Sequence, residues 1–382
     1  MSRGSLHRGA GAVSERSLHR VHRYVGPPEI AAHARTEPAG AAITSGEALE
    51  RVARTLDRRG VVTTTYVVDL DGVLRIADRS SEHVACAGGR PVLAAGELEV
   101  SGSRVVSATN LSTGYCPEAG CWSALAEALD RAGIARPSAF AHAFEMRRCV
   151  ACGARQVTKD GELECVECGA ALAARWNFDA VRWRRAWCGP WMIDVVEAPT
   201  SRDEDRVEVA IESDRVRLAL SDGAGGTAHG ASAALRVARI ALDREDPATA
   251  IARADAALAS VASGEATAVV IDVELGATAL TCRGASAGDS RAWIVGPDRI
   301  DELTATQRRK PLVGSGRAVV APFAGGGPSL LVASDGLDAP ESVLARCVRE
   351  GGDALGWALV DAVRLPSGAL RDDVSAIVIR RA

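Results

Sequence analysis

Residues 216–226 read VRLALSDGAGG. The apolar run Leu218-Ala219-Leu220 stops at Ser221-Asp222-Gly223 and then at the glycine pair Gly225-Gly226. A short apolar run closed by turn residues predicts a buried strand. A carboxylate at its end, with glycines that let backbone approach a ligand, predicts a functional terminus. The pattern returns at residues 329–337, SLLVASDGL, where Asp335 takes the place of Asp222.

Working outward, strands are expected at 207–211, 216–220, 267–273, 278–283, 291–295, 329–333 and 374–379. Helices are expected at 231–242, 248–260, 341–349 and 354–363. Strands flanking helical hairpins predict two antiparallel sheets packed together with helices outside. Acidic residues recur at the strand ends: Glu204-Asp205, Asp222, Asp289, Asp335 and Asp372-Asp373. Singly, each is an ordinary turn residue. Gathered together, they repel unless a cation neutralises them. Only His229 follows residue 142 among the histidines, so the ligands are oxygens and the expected cation is hard, Mg²⁺ or Mn²⁺. Two such ions ~3.5–4 Å apart can share a hydroxide and clamp a phosphoryl group for in-line attack.

Residues 194–382 resemble the metal-dependent protein phosphatases of the 2C type. The matching stretches run in family order: SRDEDRVEV (201–209), SDGAGG (221–226), GEATAVVIDV (264–273), AGDSRAWIV (287–295), DELTATQ (301–307), LLVASDGL (330–337) and RDDVSAIVI (371–379). The resemblance implies a four-layer αββα sandwich and hydrolysis of phosphoserine and phosphothreonine. It implies that Asp222 bridges two Mg²⁺ or Mn²⁺ ions, that Gly223 lends its carbonyl oxygen, and that Asp335 and Asp372 hold one ion. Glu204 and Asp205 would support the site through waters or the second ion. Arg202 is the candidate phosphate-binding residue, closer to the Glu-Asp pair than is usual in the family. Asp373 stands where the family often has Asn, and is expected beside the ligands rather than among them. Asp289 is expected to be a strand-turn residue. Ala224 replaces the histidine that many members carry, so protonation of the leaving alkoxide falls to water or is helped by the metals. The aspartate that some members use for a third ion is missing from residues 260–263.

The rest of the chain sets bounds. Its 382 residues allow two or three domains with real cores. Net charge is −4 and the lysines are only Lys159 and Lys310, so the arginine bias points to a GC-rich bacterial genome rather than to nucleic-acid binding. No apolar run reaches the ~18 residues of a membrane span. Residues 1–40 lack an apolar signal region, and ten cysteines without one fit reduced thiols in a cytoplasm.

Residues 1–40 repeat Ser-Leu-His-Arg at Ser5 and Ser17 and predict a disordered tail, either a basic docking arm or the product of a misassigned start. Residues 41–146 predict a small α+β domain. It has a helix at 44–59 with Thr44 and Glu47 at capping-box spacing, a hairpin turning at 69–72, strands at 92–95, 97–100 and 104–108, and a helix at 122–132. His83, Cys86, Cys116 and Cys121 lie here, but the His-x-Glu and Pro-Cys-x-x-Cys of a deaminase are absent, and small buried cysteines are the simpler account.

Cys149, Cys152, Cys165 and Cys168 form two Cys-x-x-Cys pairs, each followed by glycine. Four thiolates at this spacing predict one structural Zn²⁺ in a ribbon over 147–175, with a hairpin between the pairs turning at Asp160-Gly161. Acidic residues in the ribbon argue against a nucleic-acid face. Trp183, Trp187 and Trp191 at i, i+4, i+8 predict a Trp-rich linker helix over 176–193, for packing or peptide binding. The leading expectation is a cytoplasmic serine/threonine phosphatase acting on a phosphorylated protein, the substrate of a kinase, with the zinc module regulating or targeting it. The alternative is a catalytically weak module of the same fold that binds a phosphorylated partner.

Overall fold

The computed structural model describes residues 17–56, 60–159, 161–224, 229–261 and 263–382. Gly225 and Gly226 of the decisive stretch lie outside the described residues. So do residues 1–16 of the expected tail, 57–59 of the expected helix, Ala262, and Asp160 of the expected ribbon turn.

From residue 17 onward the expected tail is structured. β1 (His19–Arg20) and α1 (Pro28–Ala34) belong to the folded body. The His19 ring lies 3.0 Å from Ser123 Oγ and 2.7 Å from Glu127 Oε2, and the Val21 N–H donates to the Trp183 carbonyl at 2.8 Å. A polar, Arg- and His-rich composition hid these long-range partners.

The small domain follows as β2 (Ala41–Ile43), α2 (Gly46–Leu56), β3 (Val61–Asp69), β4 (Leu74–Asp78), α3 (His83–Cys86), β5 (Val92–Ser101), β6 (Arg104–Ala108) and α4 (Trp122–Arg131). Its sheet runs β2-β4-β3-β5-β6. The Asp69 carboxylate accepts from the N–H groups of Asp71 and Val73, which makes the 69–72 turn structural. Ser45, rather than Thr44, caps α2, its hydroxyl accepting from Ala48 N–H at 3.2 Å.

β7 (Glu145–Arg148) and β8 (Arg155–Thr158) pair across the first Cys-x-x-Cys turn. The hairpin expected between the two cysteine pairs is therefore displaced, because β8 finds its partner upstream. The expected linker helix is also corrected: its second half is β9 (Arg182–Cys188), turning at Gly189 into β10 (Trp191–Ala198). Spacing of four residues places Trp183 and Trp187 on one face of a strand as well as of a helix. Arg185 between them, buried against Asp194, masked the period-two pattern.

The remainder comprises β11 (Arg206–Glu212), β12 (Arg215–Ser221), α5 (Gly230–Ala241), α6 (Pro247–Ala259), β13 (Ala268–Leu275) and β14 (Leu280–Ala287). It continues with β15 (Arg291–Val295), β16 (Ile300–Glu302), β17 (Ala321–Gly327), β18 (Ser329–Ala333), α7 (Glu341–Glu350), α8 (Leu355–Asp361) and β19 (Val374–Arg381). Two antiparallel sheets result, β1-β9-β10-β19-β18-β15-β16 and β11-β12-β13-β14-β17. Val195, Ile377 and Val332 from the first meet Leu218, Leu220 and Ile271 from the second in one apolar cluster. α5 and α6 lay their alanine-rich faces on the other side of the second sheet, against Ala219, Val270 and Ala285. α7, α8 and the small domain share a cluster with the outward side of the first sheet, through Trp183, Trp187 and Val378.

Candidate metal and phosphate site

Antiparallel pairing brings the acidic strand ends to one end of the two sheets. Arg206 at the start of β11 faces Ser221 at the end of β12, Ala198 at the end of β10 faces Val374, and Ala333 at the end of β18 faces both Arg291 and Ala376. Glu204-Asp205, Asp222, Asp335 and Asp372-Asp373 each lie within a few residues of these positions. Of these, Glu204, Asp222, Asp335 and Asp372 line a cleft of about 630 Å³, together with Arg202 and Gly223.

Local hydrogen bonds fix the strand ends that carry the carboxylates. Asp222 N–H donates to Thr267 Oγ1 at 3.0 Å, and Thr267 N–H returns a bond to the Asp222 carbonyl at 2.8 Å. Ser334 and Ser375 exchange backbone and hydroxyl bonds, which ties the end of β18 to the start of β19. The two Ser-Asp-Gly glycines serve protein backbone rather than open space. A Cβ on Gly223 would stand 2.4 Å from the Gly230 carbonyl carbon, and one on Gly336 would stand 1.8 Å from the Asp373 carbonyl oxygen.

Electrostatics single out the centre. Burial first, and then Asp205 and Asp335, push the Asp222 carboxyl up to about 10. Burial raises Asp205 to about 7 against the hydroxyls of Ser334 and Ser375, and burial followed by Asp289 raises Asp335. Asp205 is buried, and its Oδ2 has no hydrogen-bond partner among the described residues. Asp373 goes the other way. Despite burial, bonds from Thr200 and from the Glu204 N–H hold its carboxyl low, so it is an anchor for the 200–205 segment. Clustered carboxylates that resist ionisation, one with an orphaned buried oxygen, fit a hard divalent cation.

Arg202 reaches into the cleft, with Nη1 at 3.2 Å from Asp372 Oδ2. Asp289, in the turn between β14 and β15 as expected, also lines the cleft. It pairs with Arg309 at 2.7 Å, and Lys310 stands beside them. Sequence reasoning passed over Arg309 and Lys310. The run Arg308-Arg309-Lys310, holding one of only two lysines, was the available signal. Ala224 lines the cleft as well and offers no titratable side chain.

The four cysteines meet as expected. Among the described residues, the sulfurs of Cys149, Cys152, Cys165 and Cys168 lie within 4.8 Å of one another. The two turns are alike: Gly153 N–H donates to the Cys149 carbonyl at 2.9 Å and Gly169 N–H to that of Cys165 at 2.8 Å, both glycines having positive φ. The Cys152 backbone N–H, first among several donors, pulls the Cys149 thiol down to about 6, toward the thiolate that binds metal. Cys86, Cys116 and Cys121 are buried singly, as expected of small core residues.

Comparison with protein-family models gives no match, and comparison with curated proteins gives none. Among solved structures, the chain is similar to RsbX in complex with magnesium, at 14% identity and TM-score 0.43, over 52% of this chain and 100% of that one. It is similar to the serine/threonine phosphatase Stp1 from Staphylococcus aureus, at 17% identity and TM-score 0.40, over 50% of this chain and 94% of that one. It is similar to the catalytic domain of the serine threonine protein phosphatase PstP in complex with two manganese ions, at 17% identity and TM-score 0.39, over 50% of this chain and 97% of that one. Identities and scores of this size add nothing to the chemistry, which rests on the residues themselves.

Proposed function

We propose that the chain is a metal-dependent protein serine/threonine phosphatase, built on a four-layer αββα sandwich that follows a small α+β domain and a zinc ribbon. The observation that carries the reading is the gathering of Glu204, Asp222, Asp335 and Asp372 around a cleft that also holds Arg202, Arg309 and Lys310, with Asp205 buried behind Asp222. Asp222, with Asp205 and Asp335 as its electrostatic neighbours, would be the central ligand for two Mg²⁺ or Mn²⁺ ions. The Gly223 carbonyl, Asp335, Asp372, Glu204 and Asp205 complete the ligand set. When bound, two such ions supply an activated water and neutralise charge on a phosphoryl group.

The chain's own groups do the rest. Asp373 holds the 200–205 segment so that Glu204 and Asp205 face Asp222. Arg202, which lines the same cleft, is placed to orient phosphate oxygens. Ala224 offers no general acid, so protonation of the leaving alkoxide falls to water or is helped by the metals. Cys149, Cys152, Cys165 and Cys168 would hold one structural Zn²⁺. The substrate is a phosphorylated protein, the product of a serine/threonine kinase, and the setting is cytoplasmic. No described helix is long and apolar enough to cross a membrane.

The test is Mn²⁺-dependent release of phosphate from a phosphoserine peptide by the full chain. Turnover that disappears in Asp222→Asn combined with Asp335→Asn supports the reading; turnover that survives the double substitution overturns it. The ion pair between Arg202 and Asp372 favours one other reading, a catalytically weak module that binds a phosphorylated partner. Metal-dependent retention of an unchanged phosphopeptide distinguishes it.

A further inference from the structure

A second large cavity, about 690 Å³, lies away from the carboxylates, where five parts of the chain meet. Arg20 comes from β1, Glu118 from the small domain, Arg147 from β7, Arg175 and Trp176 from the segment after the cysteine cluster, and Arg182 from β9. Four arginines thus face two carboxylates, Glu118 and Asp179, in a protein whose net charge is −4.

The carboxylates do not satisfy the arginines. Asp179 is already engaged by the Val181 N–H, by Trp357 Nε1 and by Arg23. Glu118 stands 3.9 Å from Arg20 Nη1, beyond hydrogen-bond distance. Arg20 lies 4.2 Å over the Trp176 ring, and its Nε is buried with no partner among the described residues. Trp176 is itself fixed by its Nε1 bond to the Cys116 carbonyl at 2.7 Å, so the stacked guanidinium is held in place. Arg147 spends its donors on the Met146, Ala173 and Ala174 carbonyls and on Glu145, and contributes charge. Arg175 is exposed and unpaired among the described residues. Burial lowers the pKa of Arg20; Glu118 and Asp179 oppose that shift through space, and Arg182 and Arg184 add to it.

We infer that this cavity is a binding site for a phosphate-bearing ligand, distinct from the carboxylate cleft. Guanidinium groups converging from separate elements match a multiply charged oxyanion. The cavity exceeds the size of phosphate alone and leaves room for the molecule that carries it. The site also touches the cleft's frame: Arg182 Nη1 is 3.8 Å from Asp203 Oδ1, and Asp203 lies between Arg202 and Glu204 with a φ of 47°. A ligand that draws on Arg182 competes with Asp203, so occupancy is coupled to the segment that carries the proposed cleft residues.

The probe is inorganic phosphate, titrated calorimetrically into the full chain carrying Asp222→Asn and Asp335→Asn, without added Mg²⁺ or Mn²⁺. Substitutions of Arg20 and Arg175 lie outside the carboxylate cleft and so assign the site, and the readout needs no turnover, so its failure leaves the phosphatase reading standing. One saturable site is expected, weakening with NaCl. Arg20→Met, which keeps an apolar stem over Trp176, and the exposed substitution Arg175→Ala should each lower affinity by roughly 3-fold to 10-fold. Asp203→Asn should tighten binding by about 2-fold or more, by freeing Arg182. No saturable binding, or binding indifferent to both arginine substitutions, overturns the site. Affinity unchanged in Asp203→Asn overturns the coupling.

Discussion

At the scale of single residues, Asp222 carries two consequences of opposite sign. As the proposed bridging ligand it is needed for turnover, and Asp222→Asn is expected to lower metal-dependent rates by at least ~10³-fold, in the range seen when a preorganised charge is removed. In the metal-free protein the same carboxylate is a burden. Its folded pKa lies far above the ordinary value, so the folded state holds the proton more tightly than the unfolded chain. Its contribution is therefore favourable below about pH 4 and is lost as pH rises toward the folded value of about 10. Asp222→Asn should raise the Tm of the metal-free chain at neutral pH by several degrees and flatten its decline with pH, measured by calorimetry in chelator. A lower Tm would contradict the electrostatic account. Gly336 gives a steric counterpart. Because a Cβ there would stand 1.8 Å from the Asp373 carbonyl oxygen, Gly336→Ala must displace the Asp372-Asp373 backbone. We expect a loss of a few kcal/mol in urea unfolding, together with lost turnover. Asp222 and Asp335 were legible because each ends an apolar run. Arg309 and its pairing with Asp289 were not, because that pairing spans a loop whose path no local pattern encodes.

Among elements, β9 shows how a buried charge can hide a strand. Trp183, Arg185 and Trp187 alternate on its outward face, and Arg185 is only 2% exposed because Asp194 on β10 receives it at 2.7 Å and 3.1 Å. Trp183 Nε1 donates to the same carboxylate at 2.7 Å. Asp194→Ala would leave Arg185 buried without its partner, and we expect it to cost about 3–5 kcal/mol in denaturant unfolding. A cost below 1 kcal/mol would mean that water reaches the pair. β17 escaped notice for a different reason. Its glycines, Gly325, Gly326 and Gly327, carry no periodic signal, yet they are what lets this edge strand lie against Leu303, Leu280 and Ile294. Helices α5 to α8 and strands β15 and β18 were readable because their apolar periods run uninterrupted between turn residues.

For the whole molecule, the consequence is that the expected boundary at residue 194 is not a boundary. It falls inside β10 and separates Asp194 from Arg185. A fragment of residues 194–382 would lack β1, β9 and the first three residues of β10, which open one edge of the seven-stranded sheet. It would also bare the outward face of that sheet, where Val196 and Val378 now share a core with Leu70, Leu125 and Leu129 of the small domain. Polar ties cross the same junction. Arg185 Nη1 donates to the Leu70 carbonyl at 3.4 Å, and Arg90 grips Asp353 through two bonds of 2.6 Å and 3.0 Å. Composition and motif spacing could not reveal this, since the resemblance that marks 201–379 says nothing of what covers its outer face. We therefore expect the 194–382 fragment to aggregate, or to unfold without a cooperative transition. The full chain should lose near-ultraviolet dichroism of its tryptophans and far-ultraviolet signal in a single step, because one core joins the small domain to the larger sheet. A fragment that unfolds cooperatively with a Tm within about 2 °C of the full chain, a difference worth under ~1 kcal/mol, would show instead that the small domain is an appendage.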